Sequence, residues 1–228
     1  MNLTRRCAAE AVGTALLLAT VIGSGIMGEQ LAQGNLAIAL LANALATGGG
    51  LIALILMFGP ASGAQFNPAV TLTLAARGRF PRREVPAYWV AQVLGAVAGV
   101  WIAHLMFGQE LLQVSTRARP GLALFVSEIV ATFGLVMVVL AGLRHRPAAI
   151  PFAVAAYIVA AYWFTASTSF ANPAVTLARA LSDTFAGIRP ADAPAFIAAQ
   201  LVGAGLATAF DAWLYADSRA AAAQSAAA

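Results

Sequence analysis

The sequence predicts an all-α membrane protein in which six transmembrane helices and two half-helices form an inverted repeat within one domain, residues 1–216. Three observations carry that reading. The chain is 61% hydrophobic and 10% charged, with a mean hydropathy of +0.82, whereas a soluble domain carries about a quarter charged residues. The run Asn-Pro-Ala-Val-Thr-Leu occurs twice, beginning at Asn67 and at Asn172. Around it other landmarks repeat in the same order: "EAVGTALL" from Glu10 with "EIVATFGL" from Glu128, and "AQVLGAVAG" with "AQLVGAGLA" at Gln92 and Gln200.

The elements follow from a ruler. A hydrocarbon core about 30 Å thick takes about 20 apolar helical residues. Ala11–Gly28, Val85–Phe107, Gly121–Leu143 and Ala193–Tyr215 each fit one span. Gln30–Ala76 and Pro147–Ala178 are each too long for one span, and in both the surplus opens at an Asn-Pro. That surplus, about a dozen residues at 1.5 Å each, reaches roughly half-way across. The two halves therefore run over about 8–107 and 121–215, leaving 217–228 as a low-complexity tail.

Arginine placement sets the orientation. Arg5 and Arg6, then Arg77, Arg79, Arg82 and Arg83, then Arg144 and Arg146, then Arg219 fall on one side of six crossings, which the positive-inside rule makes cytoplasmic. Both termini are then cytoplasmic, as expected of a multi-pass protein of a bacterial inner membrane. The first half-helix dips in from the cytoplasm and the second from outside, so their starting ends meet near the midplane, an arrangement known from inverted-repeat transport proteins.

The duplicated Asn-Pro has a physical purpose there. Asn caps a helix N-terminus through its side-chain oxygen, and Pro suits the first helical position because it has no N–H to waste. Asn67-Pro68-Ala69 and Asn172-Pro173-Ala174 are read as two helix starters whose amide nitrogens remain as free donors at the positive ends of two half-dipoles. Irregular backbone at membrane depth is tolerated only where it is buried or lines a water-filled cavity. The pair thus predicts a passive pore that repels cations and orients neutral solutes bearing an oxygen lone pair.

Other functions are disfavoured by what the sequence holds. Its positive charge is entirely arginine, with a net +4 that reads as topology, not as a nucleic-acid footprint. Cys7 is the single cysteine, which excludes an internal disulfide and leaves open a lipid-modified or a plain small residue. Two histidines and one cysteine offer no metal-ligand spacing, and no nucleophile triad or phosphate cradle is visible. No enzyme activity, cofactor or metal is expected. A proton-coupled secondary transporter stays open as the alternative from another class, and would need Glu10 and Glu128 as its relay.

With "SGAQFNPAVT" and "STSFANPAVTLAR" in view, the chain resembles the aquaporin and aquaglyceroporin family of channels from Glu10 to Tyr215. The resemblance implies a homotetramer in the lipid bilayer with one pore per subunit, conducting water or small neutral solutes. It also implies that Glu10 and Glu128 accept hydrogen bonds from the loops that lead into the half-helices. Two departures stand out: Gln65 where His is usual, and Val175 where the family places the arginine of its outer filter. By family spacing that filter is Thr47, Ala160, Ser169 and Val175, with Ala161 as the alternative to Ala160. All are small and uncharged, so the resemblance implies a wide filter passing glycerol, urea or undissociated metalloid acids; a water-selective channel is the alternative. The second run also resembles a bacterial branch that lacks this arginine and is linked to arsenic resistance.

Remaining polar residues are read as structural. Arg179, one turn beyond Val175, is about 6 Å further along the axis and is expected to be solvated or structural. Asp211 is expected to reach the interface, and His104 to pack. Tyr88, Trp89, Trp101, Trp163, Trp213 and Tyr215 are read as interfacial anchors, and "GAVAG" and "GAGLA" as close-packing seams.

Overall fold

A computed structural model describes residues 1–216, so the expected tail at 217–228 lies outside the described residues. Its helices are α1 (Leu3–Leu31), α2 (Leu36–Ser62), α3 (Pro68–Ala76), α4 (Val85–Met106), α5 (Leu122–His145), α6 (Ile150–Phe164), α7 (Pro173–Arg179) and α8 (Ala193–Leu214). Short 3-10 turns, Arg82–Glu84 and Pro147–Ala149, lead into α4 and α6. Six helices are long and apolar enough to cross a membrane, and α3 and α7 are the two half-helices.

These are shorter than the sequence length suggests, at 9 and 7 residues. The stop after α3 is local: Gly78 sits in the left-handed region at φ 68°, and Arg79 N–H returns to the Leu74 carbonyl at 2.8 Å, the closure a C-terminal glycine provides.

Packing follows the repeat. α1 lies against α4 and α5 against α8, and the seams are glycine because no other side chain fits. A methyl group at Gly95 or Gly99 would overlap the carbonyl oxygens of Ala11 and Ala15, and one at Gly203 would meet the Ile129 carbonyl. Close approach of this kind is how helices associate where no hydrophobic drive acts between them. Each half buries one apolar face around the half-helices. Tyr88 belongs to that interior and not to the interface: it is fully buried, its hydroxyl donating to the Ser62 carbonyl at 2.9 Å and accepting from Arg6 Nε at 3.0 Å. Its fit between Phe80 and α2 outweighs the anchoring role that its place near a helix start suggests.

Asp211 also departs from expectation. Instead of reaching the interface, it is buried and holds Arg77 at 2.6 Å and Arg144 at 2.8 Å, while the Arg144 guanidinium covers the Tyr215 ring at 3.6 Å. The carboxylate ties the end of α3 to α5 and α8. Asp211→Ala would leave Arg77, itself 7% exposed, as an uncompensated charge, so a loss of about 3 kcal/mol is expected. A lower unfolding temperature in detergent, with Asp211→Asn falling between, checks it.

Candidate functional site

The site is built where the two half-helices meet. Asn67 caps α3 by accepting from Ala69 N–H at 2.9 Å, and Asn172 caps α7 by accepting from Ala174 and Val175 N–H at 3.0 and 3.3 Å. Their nitrogens, which the sequence reading leaves as free donors, are each partly engaged. Asn67 Nδ2 donates to the Ala171 carbonyl and Asn172 Nδ2 to the Phe66 carbonyl, both at 2.7 Å. Each half-helix tip is thus tied to the loop leading into the other. A primary amide carries two N–H groups, so one per asparagine remains, and both residues line a common cavity of about 510 Å³.

The loops pay for this geometry in backbone strain. Ala64 and Phe66 before Asn67, and Ser169 and Ala171 before Asn172, all have positive φ between 45° and 52°, which turns the Phe66 and Ala171 carbonyls toward the opposite tip. Left-handed backbone costs roughly 1–2 kcal/mol per non-glycine residue. Two buried carboxylates hold it. Glu10 accepts from Ser62 Oγ at 2.6 Å and from Gln65 and Phe66 N–H at 3.0 and 2.7 Å; Glu128 accepts from Phe170 and Ala171 N–H, both at 2.9 Å.

Behind each carboxylate stands a glutamine that the sequence marks only as a repeat landmark. Gln92 donates to Glu10 at 2.8 Å and to Thr71 Oγ1 at 3.0 Å, and Gln200 to Glu128 at 2.6 Å and to Thr176 Oγ1 at 2.8 Å. The echoed Ala-Gln pairs were the available signal. Pro68 and Pro173 occupy the first helical positions, and Ala69 and Ala174 are fully buried behind them. The Pro68 carbonyl accepts from Trp89 Nε1 at 3.1 Å, so Trp89 braces α3 as well as lying near a helix start.

Beyond the asparagines the cavity is lined by Thr47, Ser169 and Val175, and by Tyr162 in place of Ala160. The correction is one of helix phase. On α6 the cavity-facing stripe is Ile150, Val154, Ile158 and Tyr162, each four residues from the last and so on one face. Ala160, two residues from either neighbour in that stripe, points outward and is exposed, and Ala161 is buried in packing. Tyr162 adds an aromatic ring to the cavity wall, with its hydroxyl 3.2 Å from Thr47 Oγ1. Ser169 Oγ and Gln65 Oε1 are buried without a protein partner among the described residues, and both residues line the cavity.

At the end of the cavity beyond Val175, Arg179 is not solvated: it is 2% exposed. Its Nε donates to the Ala186 carbonyl, and its guanidinium lies 3.4 Å from the centroid of the Phe170 ring, with Arg119 4.9 Å from the same ring. Arg119, in the connection between α4 and α5, is drawn down to about 10 by burial and then by Arg117, and stays charged at neutral pH. His104 packs as expected, Nδ1 at 3.1 Å from the Leu111 carbonyl and Nε2 at 2.9 Å from Ser182 Oγ, joining two loops at this end.

Paired half-helix tips around one cavity, inside six apolar helices, define a membrane channel. The chain belongs to the major intrinsic protein family, whose model matches residues 1–149. It is 55% identical over 213 residues to the aquaglyceroporin AqpS of Rhizobium meliloti (strain 1021), covering 93% of this chain and 91% of that one. It is 33% identical over 236 residues to the aquaporin AqpM of Methanothermobacter marburgensis, covering 91% and 96%. The X-ray structure of the aquaglyceroporin from Plasmodium falciparum shares the fold, with a TM-score of 0.70 over 92% of this chain and 95% of that one at 21% identity. The protein is accordingly a multi-pass membrane channel for water and small solutes, and not an enzyme.

Proposed function

We propose that the channel passes small neutral hydroxylated solutes of glycerol and urea size, and undissociated metalloid acids, through an outer filter that lacks the family's arginine at Val175. The observation that carries this is the linked asparagine pair, Asn67 and Asn172, each with a remaining N–H on the cavity. A neutral solute gives these donors an oxygen lone pair, whereas a cation meets the positive ends of two half-helices. Above them the solute passes the Thr47 and Tyr162 hydroxyls, Ser169 Oγ and the apolar Val175 face, a mixture suited to a molecule with both C–H and O–H surface. The reading takes in a homotetramer, as the family resemblance implies, and cytoplasmic termini in a bacterial inner membrane, supported by the one-sided arginine groups.

Tyr162 favours a second reading. An aromatic ring in the filter narrows it relative to the all-small ring read from spacing, which is the direction of a water-selective channel. One experiment separates the two: purified protein in vesicles, with permeability to water, glycerol, urea and arsenite followed by light scattering or uptake. Glycerol and urea permeability above empty vesicles is expected. Conduction of water alone would establish the narrow reading, and flux that requires a pH gradient would establish a proton-coupled transporter.

A further inference from the structure

The main cavity is succeeded, on the side away from Arg6 and Arg79, by a second cavity of about 320 Å³ lined by Asn43, Arg117, Arg119 and Thr168. Among the described residues Arg179 alone lines both cavities, so its side chain forms the wall they share. The guanidinium is held in place by the Ala186 carbonyl on Nε and by the Phe170 ring beneath it. Its terminal nitrogens have no protein acceptor among the described residues, and Arg117, Arg119 and Arg179 take part in no ion pair there. The buried carboxylate on this side of the fold, Glu128, is already taken up by Phe170 N–H, Ala171 N–H and Gln200.

Axial distance alone argues against Arg179 as a filter residue, because its Cα lies a full turn beyond Val175. Side-chain direction reverses that. Helical side chains lean toward the helix N-terminus and cover the turn before their own Cα, and the N-terminus of α7 is the asparagine tip. The Arg179 guanidinium lies over the ring of Phe170, a residue that precedes the Asn172 cap, in keeping with that direction.

We infer that Arg179 is the specificity-determining residue of the outer constriction, supplying from one turn further along α7 the fixed positive charge and N–H donors that Val175 does not. The inference rests on the channel reading above. An arginine beside a narrow passage excludes cations and protons electrostatically, while its donors remain available to a neutral solute. Arg117 and Arg119 add to the same field without lining the main cavity.

The test measures glycerol flux and cation leak in the same vesicles, with sodium or proton entry driven by a potassium diffusion potential. Arg179→Leu is expected to raise cation leak relative to glycerol flux about tenfold or more, since one unit charge at contact distance is worth more than that factor in a partly desolvated site. Arg179→Lys, which retains charge but not the planar fork, is expected to stay tight. Arg179→Gln, able to donate to the Ala186 carbonyl without charge, gives the same readout as leucine should the leucine variant fail to fold. A tight neutral variant overturns the inference. So does equal leak from the lysine and neutral variants, because Arg179 would then only position the loop at 182–188. Wild type that passes no solute overturns the channel reading itself, a result distinct from either.

Discussion

Glu128→Ala is expected to remove solute flux altogether and to yield protein that unfolds at a markedly lower temperature. Three buried donors converge on this carboxylate: Phe170 and Ala171 N–H and Gln200 Nε2. Each buried donor left unpaired costs about 1–3 kcal/mol, and the strained residues Ser169 and Ala171 lose what holds them. The sum, on the order of 5 kcal/mol, is comparable with the whole stability of an ordinary domain. Without the strut, the Ala171 carbonyl no longer meets Asn67 Nδ2, and the two tips separate. Glu128→Gln keeps one acceptor oxygen but turns an NH₂ toward N–H donors, so partial stability and partial flux are expected. The pair of variants also distinguishes strut from proton relay: residual flux through Glu128→Gln independent of a pH gradient fits the strut, whereas a relay residue would lose coupled flux completely. Unaltered flux and unfolding temperature in Glu128→Ala would refute the strut.

Duplication explains why this apparatus is built twice. Glu10, Gln92 and Thr71 stand to Asn67 as Glu128, Gln200 and Thr176 stand to Asn172, and the positive-φ residues fall at the same three places before each asparagine: Gly63, Ala64 and Phe66 in one half, Thr168, Ser169 and Ala171 in the other. A half on its own would hold a strained carbonyl with nothing to accept from. Each asparagine needs the other half's carbonyl, so the strain is offset only when both halves are assembled. Stability and the shape of the cavity centre are consequently one property, set by the same hydrogen bonds.

How far the sequence could be read depends on what kind of signal each feature leaves. The six spans and the two half-helices were legible because hydropathy and the Asn-Pro starters are local, but their lengths were not, the half-helices stopping at 9 and 7 residues. Glu10 and Glu128 were legible as buried acids in apolar spans, and their role came from family resemblance. The α6 stripe was not, since Ile150–Phe164 has no polar face to set its phase, and counting from Asn172 crosses a loop with three left-handed residues. The burial of Asp211 leaves no local signal, because its partners Arg77 and Arg144 are remote in sequence. The free asparagine nitrogens failed for a related reason: a cap visible within one helix says nothing of the carbonyl supplied by the other half.

Val175→Arg is expected to lower glycerol and urea permeability about tenfold while sparing water, because even a methylene-sized misfit at a close-fitting site is worth a factor of ten or more. Val175 is 5% exposed and lines the cavity with Thr47 and Tyr162. A guanidinium there would share the cavity with the Tyr162 ring and fill space on the side Val175 now leaves apolar. It would also stand one turn from Arg179, and like charges at that spacing disfavour each other. The single variant is thus expected to lose some stability as well as large-solute flux. The double change, Val175→Arg with Arg179→Leu, relieves that repulsion and returns one charge to the constriction. It should be tight to cations where Arg179→Leu alone leaks, yet remain poor at passing glycerol. Size discrimination and charge exclusion are in this way assigned to different residues of the same half-helix. A folded Val175→Arg variant with unchanged glycerol flux would show that Val175 is not at the constriction. A double variant that leaks as much as Arg179→Leu would show that charge at this level does not exclude cations.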